Sequence, residues 1–176
     1  MTFPTPHICD YGSERYSVRE PDGVRYPWDT QPSSLGGLYY PAALAYFDIP
    51  KPGSASTADW RGYRYGYTLT EDSLLFVSSI WVLTPQMPLA ELIKGNAKWV
   101  ACNDKTGKVT IRDYVCFLIN EPIQIEYEKI ELTSNERLIN QYWRLGFRLK
   151  EGKTNEEEEA EIDKEFGKPI IVRGRL

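Results

Sequence analysis

The chain has 176 residues, with 21 Lys and Arg against 25 Asp and Glu, so its net charge is -4 and it is acidic. Hydrophobic residues make up 41% and charged residues 26%, which excludes wholesale disorder and predicts a single domain that needs neither a disulfide nor a metal to fold. No stretch approaches the roughly 18 consecutive apolar residues of a membrane span, and Met1–Tyr11 lacks the features of a secretory signal, so we expect no membrane partner. Three widely spaced cysteines favour a reducing compartment, and we expect the cytoplasm.

Residues 1–59 are predicted to be an irregular N-terminal arm. They hold 8 of the 12 prolines, which block helix interiors and central strands. They also carry many Tyr, Trp and Phe rings, which a disordered linker would lack. We therefore expect the arm to pack on the core through its rings. One short helix is predicted at Pro41–Phe47, with Pro41 at its first position.

Residues 60–132 are predicted to form a sheet. Alternation from Trp60 to Leu69, followed by the apolar run Leu74–Leu83, predicts a hairpin whose second strand is buried on both faces. A short helix is predicted at Pro88–Lys94, between Pro88 and Gly95.

A second hairpin is predicted from Lys98 to Ile119. If its turn pairs Asn103 with Lys108, Lys98 lies opposite Asp113 and an ion pair explains the acidic residue in an apolar row. In that register Cys102 and Cys116 do not face each other. The dipeptide Glu121-Pro122 is predicted to turn the chain into another strand from Ile123 to Tyr127.

Residues 133–176 are predicted to be a helical end. Ser134 is the predicted N-cap of the first helix, and Thr154 with Glu157 forms a capping box for the second. Gly167 and Pro169 end the second helix. Pro169–Arg173 is predicted to be a last strand, at a sheet edge because of its proline.

The predicted fold class is α+β: a mostly antiparallel sheet of five to six strands, covered by the C-terminal helices and wrapped by the irregular arm. No enzymatic signature accompanies it. His7 is the only histidine and is expected to be exposed on the arm. The cysteines lack the paired spacing of a zinc site, and no glycine-rich phosphate loop occurs, so neither a metal nor a cofactor is predicted.

The segment Trp60–Tyr67 has the most unusual composition, because arginines alternate with aromatic rings. Such patches are common in binding sites. Without a binding role, the tyrosine row is expected to pack on the core or line a groove while the arginines face solvent. The favoured functional interpretation is an aromatic and arginine surface that binds another protein. A sheet-lined aromatic pocket for a small molecule, completed by Asp113, is the alternative. Stacking on a single-stranded nucleic acid is a weaker one, because the chain is acidic.

Arginines also recur at helical spacing after Ser134, as Arg137, Arg144 and Arg148. They either form a docking face for an acidic partner or a phosphate, or they face solvent or pair with the acidic helix 156–165. The second alternative is favoured because charged helix faces are usually solvated and exposed pairs contribute little. We therefore expect a non-enzymatic interaction or accessory protein. Its candidate binding residues are Trp60, Arg61, Tyr63, Arg64, Tyr65, Tyr67, Asp113, Arg137, Arg144 and Arg148.

Overall fold

The computed structural model describes residues 4–30, 34–35, 38–39, 41–52, 61–83, 99–103, 114–147 and 152–174. The strands are β1 (His7–Tyr11), β2 (Glu14–Val18), β3 (Ser34–Leu35), β4 (Leu38–Tyr39), β5 (Tyr63–Leu69), β6 (Leu75–Leu83), β7 (Trp99–Asn103), β8 (Tyr114–Ile125), β9 (Lys129–Leu132) and β10 (Ile170–Arg173). The helices are α1 (Ala42–Tyr46), α2 (Asn135–Gln141), which continues as a π-helix over Tyr142–Phe147, and α3 (Asn155–Phe166), with a 3₁₀ turn at Pro27–Thr30.

A six-stranded sheet in the order β2-β1-β5-β6-β8-β7 organises the fold. All neighbours in it are antiparallel except β1 and β5, which are parallel. Two small sheets, β9 with β10 and β3 with β4, accompany it. The α+β class with a mostly antiparallel sheet is confirmed.

The central hairpin of the sheet is β5 and β6, as predicted. Strand β6 is almost continuously buried, because β5 and β8 flank it and both of its faces are covered. The register shifts between Gly66 and Tyr67. Gly66 is required there, since a Cβ at this position would lie 1.9 Å from the Ser79 Oγ.

Residues 7–18 differ from the prediction of an irregular arm, because they pair as β1 and β2 at one edge of the sheet. Pro4, Pro6 and Pro21 lie just outside these strands. The proline content of the whole segment therefore concealed two short proline-free strands. Gly12, at φ 62°, makes the tight turn between them.

The second hairpin forms in a different register from the predicted one. Asn103 pairs with Val115 and not with Lys108, and Cys102 pairs directly with Cys116. The predicted four-residue turn pairs Asn103 with Lys108, whereas the observed partner of Asn103 lies seven positions further along the chain, so the predicted register was wrong. Residues 104–113 and the predicted helix Pro88–Lys94 lie outside the described part of the chain.

Strand β8 runs through Pro122 without the predicted turn. Its register against β6 changes between Val77, which pairs with Ile123, and Ser79, which pairs with Leu118. One residue of β6 lies between Val77 and Ser79, whereas four residues of β8 lie between Leu118 and Ile123, and Pro122 is one of these four. A proline is tolerated at such a bulge, because its missing N–H is not needed for the ladder.

The helical end follows the predicted signals closely. The Ser134 hydroxyl accepts from the Arg137 N–H at 3.2 Å, and the Thr154 hydroxyl accepts from the Glu157 N–H at 3.1 Å, so both N-caps are confirmed. Gly167, at φ 87°, ends α3. The predicted edge strand is β10. In the described residues, no helix combines the length and hydropathy that a membrane crossing requires.

One face of the large sheet carries the main core. Rings and aliphatic side chains from residues 26–28 and 42–49, including Trp28, Leu44 and Phe47, pack there against β5 and β6. Ile130 and Leu132 of β9 belong to the same cluster. Helix α2 contacts β2 and α3, with Leu138 and Ile162 as the buried apolar residues of the two helices.

Candidate functional site

Tyr65 and Tyr67 of β5 are buried, and their hydroxyls are used inside the core. Trp28 donates its indole N–H to the Tyr65 hydroxyl at 3.0 Å, and the Tyr26 and Tyr67 hydroxyls hydrogen-bond to each other. Burial raises the pKa of both β5 tyrosines. These rings therefore do not form an exposed patch, and they leave no faces on which nucleic-acid bases could stack.

His7 lies beside these tyrosines, a position that was not predicted from the sequence. It is 2% exposed, with its ring centroid 5.1 Å from that of Tyr65 and 5.7 Å from that of Tyr67. The expectation of an exposed histidine was wrong, because β1 pairs with β5 and turns His7 toward the core face. His7 and Cys9 alternate with half-buried residues only in the structure, and the sequence His-Ile-Cys-Asp-Tyr carries no apolar alternation that would have revealed it.

Arg61, Tyr63 and Arg64 of the predicted segment are half-buried. Arg61 places its guanidinium carbon 6.0 Å from the Tyr63 ring centroid and its Nη1 2.9 Å from the His7 Nε2. Its Nη2 donates to the Thr5 carbonyl at 3.3 Å. Arg61 and His7 line a cleft of about 330 Å³ between the N-terminal strand and α2.

Arg64 points to the opposite face of the sheet. Its guanidinium carbon lies 4.5 Å from the Tyr114 ring centroid and 5.5 Å from the Trp81 ring, so it is stacked between two aromatic side chains. Adjacent residues of a strand point to opposite faces. The segment therefore contributes to two separate surfaces, with Arg61 and Arg64 on different sides.

Arg137 and Arg144 are engaged by the acidic helix α3, which was the favoured alternative. Arg137 is 1% exposed and pairs with Asp163, while its Nε donates to the Gly167 carbonyl at 2.9 Å. Arg144 donates from Nε to Glu158 at 2.7 Å, and this bond raises the pKa of its guanidinium. These arginines join the two helices and are not brought near β5.

Three predicted site residues, Trp60, Asp113 and Arg148, lie outside the described residues. The small-molecule pocket required Asp113 and the tyrosine row in one cavity. With Tyr65 and Tyr67 committed to internal hydrogen bonds, only Arg61 of the predicted set lines the cleft next to His7. Across the described ranges, no three His, Cys, Asp or Glu side chains are placed to hold a metal ion.

A second surface feature is the outer edge of β10. Ile171 is 53% exposed and Ile170 is 38% exposed. Strand β10 pairs with β9 on one side, and no described residue pairs with it on the other. The edge strand was predicted from Pro169, whereas the exposure of its isoleucines was not, although Ile-Ile-Val after a proline is a visible signal.

The backbone of β10 presents hydrogen-bonding groups to this open edge. Gly174 donates its N–H to the Glu128 carbonyl at 2.9 Å, in register with the pairing of Val172 and Ile130. Hydrogen-bonded and non-hydrogen-bonded pairs alternate along antiparallel strands. The N–H and C=O groups of Ile171 and Arg173 therefore point away from β9.

Comparison of this chain with protein-family models, curated proteins and solved structures gave no match.

Proposed function

We propose that this protein is a non-enzymatic interaction or accessory protein that binds an extended segment of a partner protein along the outer edge of β10. The open edge carries the proposal. An incoming strand can pair with the outward N–H and C=O groups of Ile171 and Arg173, as in other complexes formed by strand addition. The exposed side chain of Ile171 supplies apolar contact area.

The charge around the edge selects an acidic partner segment. Lys168 and Arg173 are exposed at the two ends of β10. Glu131, opposite Ile171, lies on β9 and hence one strand further from the open edge. Pairing of two β10 edges from two copies would bring four cations together, which disfavours self-association. A strand with acidic residues beside apolar ones is the complementary occupant.

The cytoplasm stays the proposed compartment. Cys9 is a buried thiol whose pKa is raised to about 12 by burial, so it remains protonated and inert. A reduced thiol of this kind is typical of proteins in a reducing environment.

Peptide binding tests the proposal directly. The probe is a labelled hexapeptide that alternates Glu with Val or Ile, and its matched control replaces each Glu by Lys. Fluorescence anisotropy should give a Kd of about 100 µM for the acidic peptide, equivalent to about -5.5 kcal/mol, with much weaker binding of the basic one. Equal binding of the two peptides, or no binding of either, would contradict the proposal.

Two variants locate the binding edge. Ile171→Pro removes an outward N–H while leaving the ladder to β9 intact, so the acidic peptide should bind about tenfold more weakly without loss of fold. Arg173→Glu reverses one charge and should abolish the preference for the acidic peptide. Arg25→Glu, at an exposed residue outside β10, is the control for net charge. Unchanged binding by a folded Ile171→Pro variant would show that the edge is not used.

A further inference from the structure

The cleft beside His7 has the size and lining of a small-ligand site. Its volume of about 330 Å³ falls within the range of roughly 300–1,000 Å³ usual for such sites. Pro6, Leu138 and Tyr142 contribute apolar surface, and His7 and Arg61 contribute polar atoms. None of this depends on the edge of β10.

The hydrogen bonds of His7 determine which ring nitrogen carries its proton. The Tyr65 backbone N–H points at Nδ1 over 3.0 Å. A backbone N–H can only donate, so Nδ1 must be the unprotonated acceptor. Burial, with the Arg61 and Arg64 charges, holds the pKa of His7 well below its usual value and keeps the ring neutral. The single proton therefore lies on Nε2.

This assignment places two donors against each other. The Nε2–H of His7 faces the Nη1 of Arg61 at 2.9 Å, and a guanidinium has no acceptor. Two N–H groups at this separation repel unless a third atom accepts from both. Among the described residues no carboxylate pairs with Arg61, whose other hydrogen bond goes to the Thr5 carbonyl. An oxygen acceptor entering from the cleft would satisfy both donors.

We propose that this cleft binds the oxyanion group of a small organic ligand, with Arg61 and the His7 Nε2–H as its donors and Pro6, Leu138 and Tyr142 around its apolar part. A guanidinium recognises carboxylate and phosphate groups through paired N–H donors. The uncharged His7 adds a donor without adding a second positive charge. The ligand is consequently a monoanion or dianion with an apolar body.

Two exposed charges at the rim act on the same ligand in opposite directions. Arg19 and Glu20 both line the cleft. Glu20 opposes an anion, and its removal should strengthen binding. Because both side chains are exposed, solvent screens their effects, and each should change the affinity less than Arg61 does.

Benzoate, phenyl phosphate and inorganic phosphate are the probes, with uncharged benzamide as the matched control. Binding is followed through the ¹⁵N resonance of the His7 Nε2 during titration. We expect saturable binding of benzoate or phenyl phosphate with a Kd of about 1 mM and a shift of the Nε2 resonance. Benzoate alone identifies a carboxylate ligand, and phenyl phosphate together with inorganic phosphate identifies a phosphate. Binding of benzamide as tightly as benzoate, or no saturation by any anion, overturns the proposal.

Variants of the cleft assign the donors. Arg61→Met should weaken binding of the best anion about tenfold or more, and Arg61→Lys should weaken it less, because the charge stays while the paired donors are lost. Glu20→Gln should strengthen it, and Arg25→Met, outside the cleft, should leave it unchanged. If Arg61→Met folds and binds as the parent does, the anion is held elsewhere and the proposal is wrong.

Discussion

The Tyr26 and Tyr67 hydroxyls hydrogen-bond to each other inside the core, across 41 positions of sequence. Tyr26 comes from the N-terminal arm and Tyr67 from β5. Their rings belong to a continuous aromatic cluster, in which Tyr26 stacks on Trp28 with ring centroids 5.0 Å apart. The arm is thus attached to the sheet by a buried polar pair as well as by apolar contact.

Removing one hydroxyl of this pair should lower the free energy of unfolding by more than half of the loss caused by removing both. Tyr26→Phe or Tyr67→Phe leaves the remaining hydroxyl buried without its partner, and each should lower the free energy of unfolding by about 1–3 kcal/mol. The double variant should lose clearly less than the sum of the two, because no unsatisfied group remains. Urea denaturation measures all three, with Tyr16→Phe at a half-buried position as the control. Strict additivity would contradict the direct bond.

His7 should make the protein less stable in mild acid. Its pKa is lowered in the folded state by burial first and by Arg61 and Arg64 second, whereas the unfolded chain takes up a proton near pH 6.5. The unfolded state then binds more protons, so the free energy of unfolding falls as the pH drops below about 6.5, by up to about 1.4 kcal/mol per pH unit. Above about pH 6.5 His7 is neutral in both states, so protonation of the unfolded chain no longer lowers the free energy of unfolding.

The free energy of unfolding, measured by denaturation at about pH 7.5 and about pH 5.5, tests this prediction. Most carboxylates titrate below this interval, so they contribute little to the difference. His7 is the only histidine of the chain, so His7→Gln should flatten the dependence in this interval. A variant with the parent's slope would show that another group is responsible.

Arg137 should be the most important ionic residue of the helical end. Arg137→Met removes the buried partner of Asp163 and the donor to the Gly167 carbonyl. We expect a loss of about 2–4 kcal/mol in unfolding free energy, at the lower side of the range for buried pairs because Asp163 is partly exposed. The exposed pair of Arg15 and Asp10 is the matched comparison, and Arg15→Met should cost less than about 1 kcal/mol. Similar losses for both would be evidence against a structural role for Arg137.

Gly66 should tolerate a side chain only if Ser79 is shortened. Gly66→Ala places a methyl group 1.9 Å from the Ser79 Oγ and should destabilise the protein by about 1–3 kcal/mol. The double variant with Ser79→Ala should recover part of that loss. Gly146→Ala, where a Cβ would meet no atom within 4 Å, should be neutral or stabilising. Thermal unfolding distinguishes these outcomes, and no recovery in the double variant would show that the clash lies elsewhere.

Local chemistry was sufficient to predict several elements from the sequence. The caps at Ser134 and Thr154, the end of α3 at Gly167 and the buried strand β6 each depend on residues a few positions apart. The edge position of β10 follows from Pro169 in the same way. Such signals act within one turn or one strand, so they need no knowledge of distant neighbours.

What only the tertiary structure decided is which distant residues meet. The sequence alone determined the α+β class, the hairpin of β5 and β6, and the N-caps of the two C-terminal helices. It could not show that β1 pairs with β5 and buries His7 against Arg61, or that Asn103 faces Val115. Strand register and the choice of partner depend on packing between segments far apart in the chain, and a short alternating pattern is compatible with many pairings. The donors of the cleft and the open edge of β10 both arise at that level.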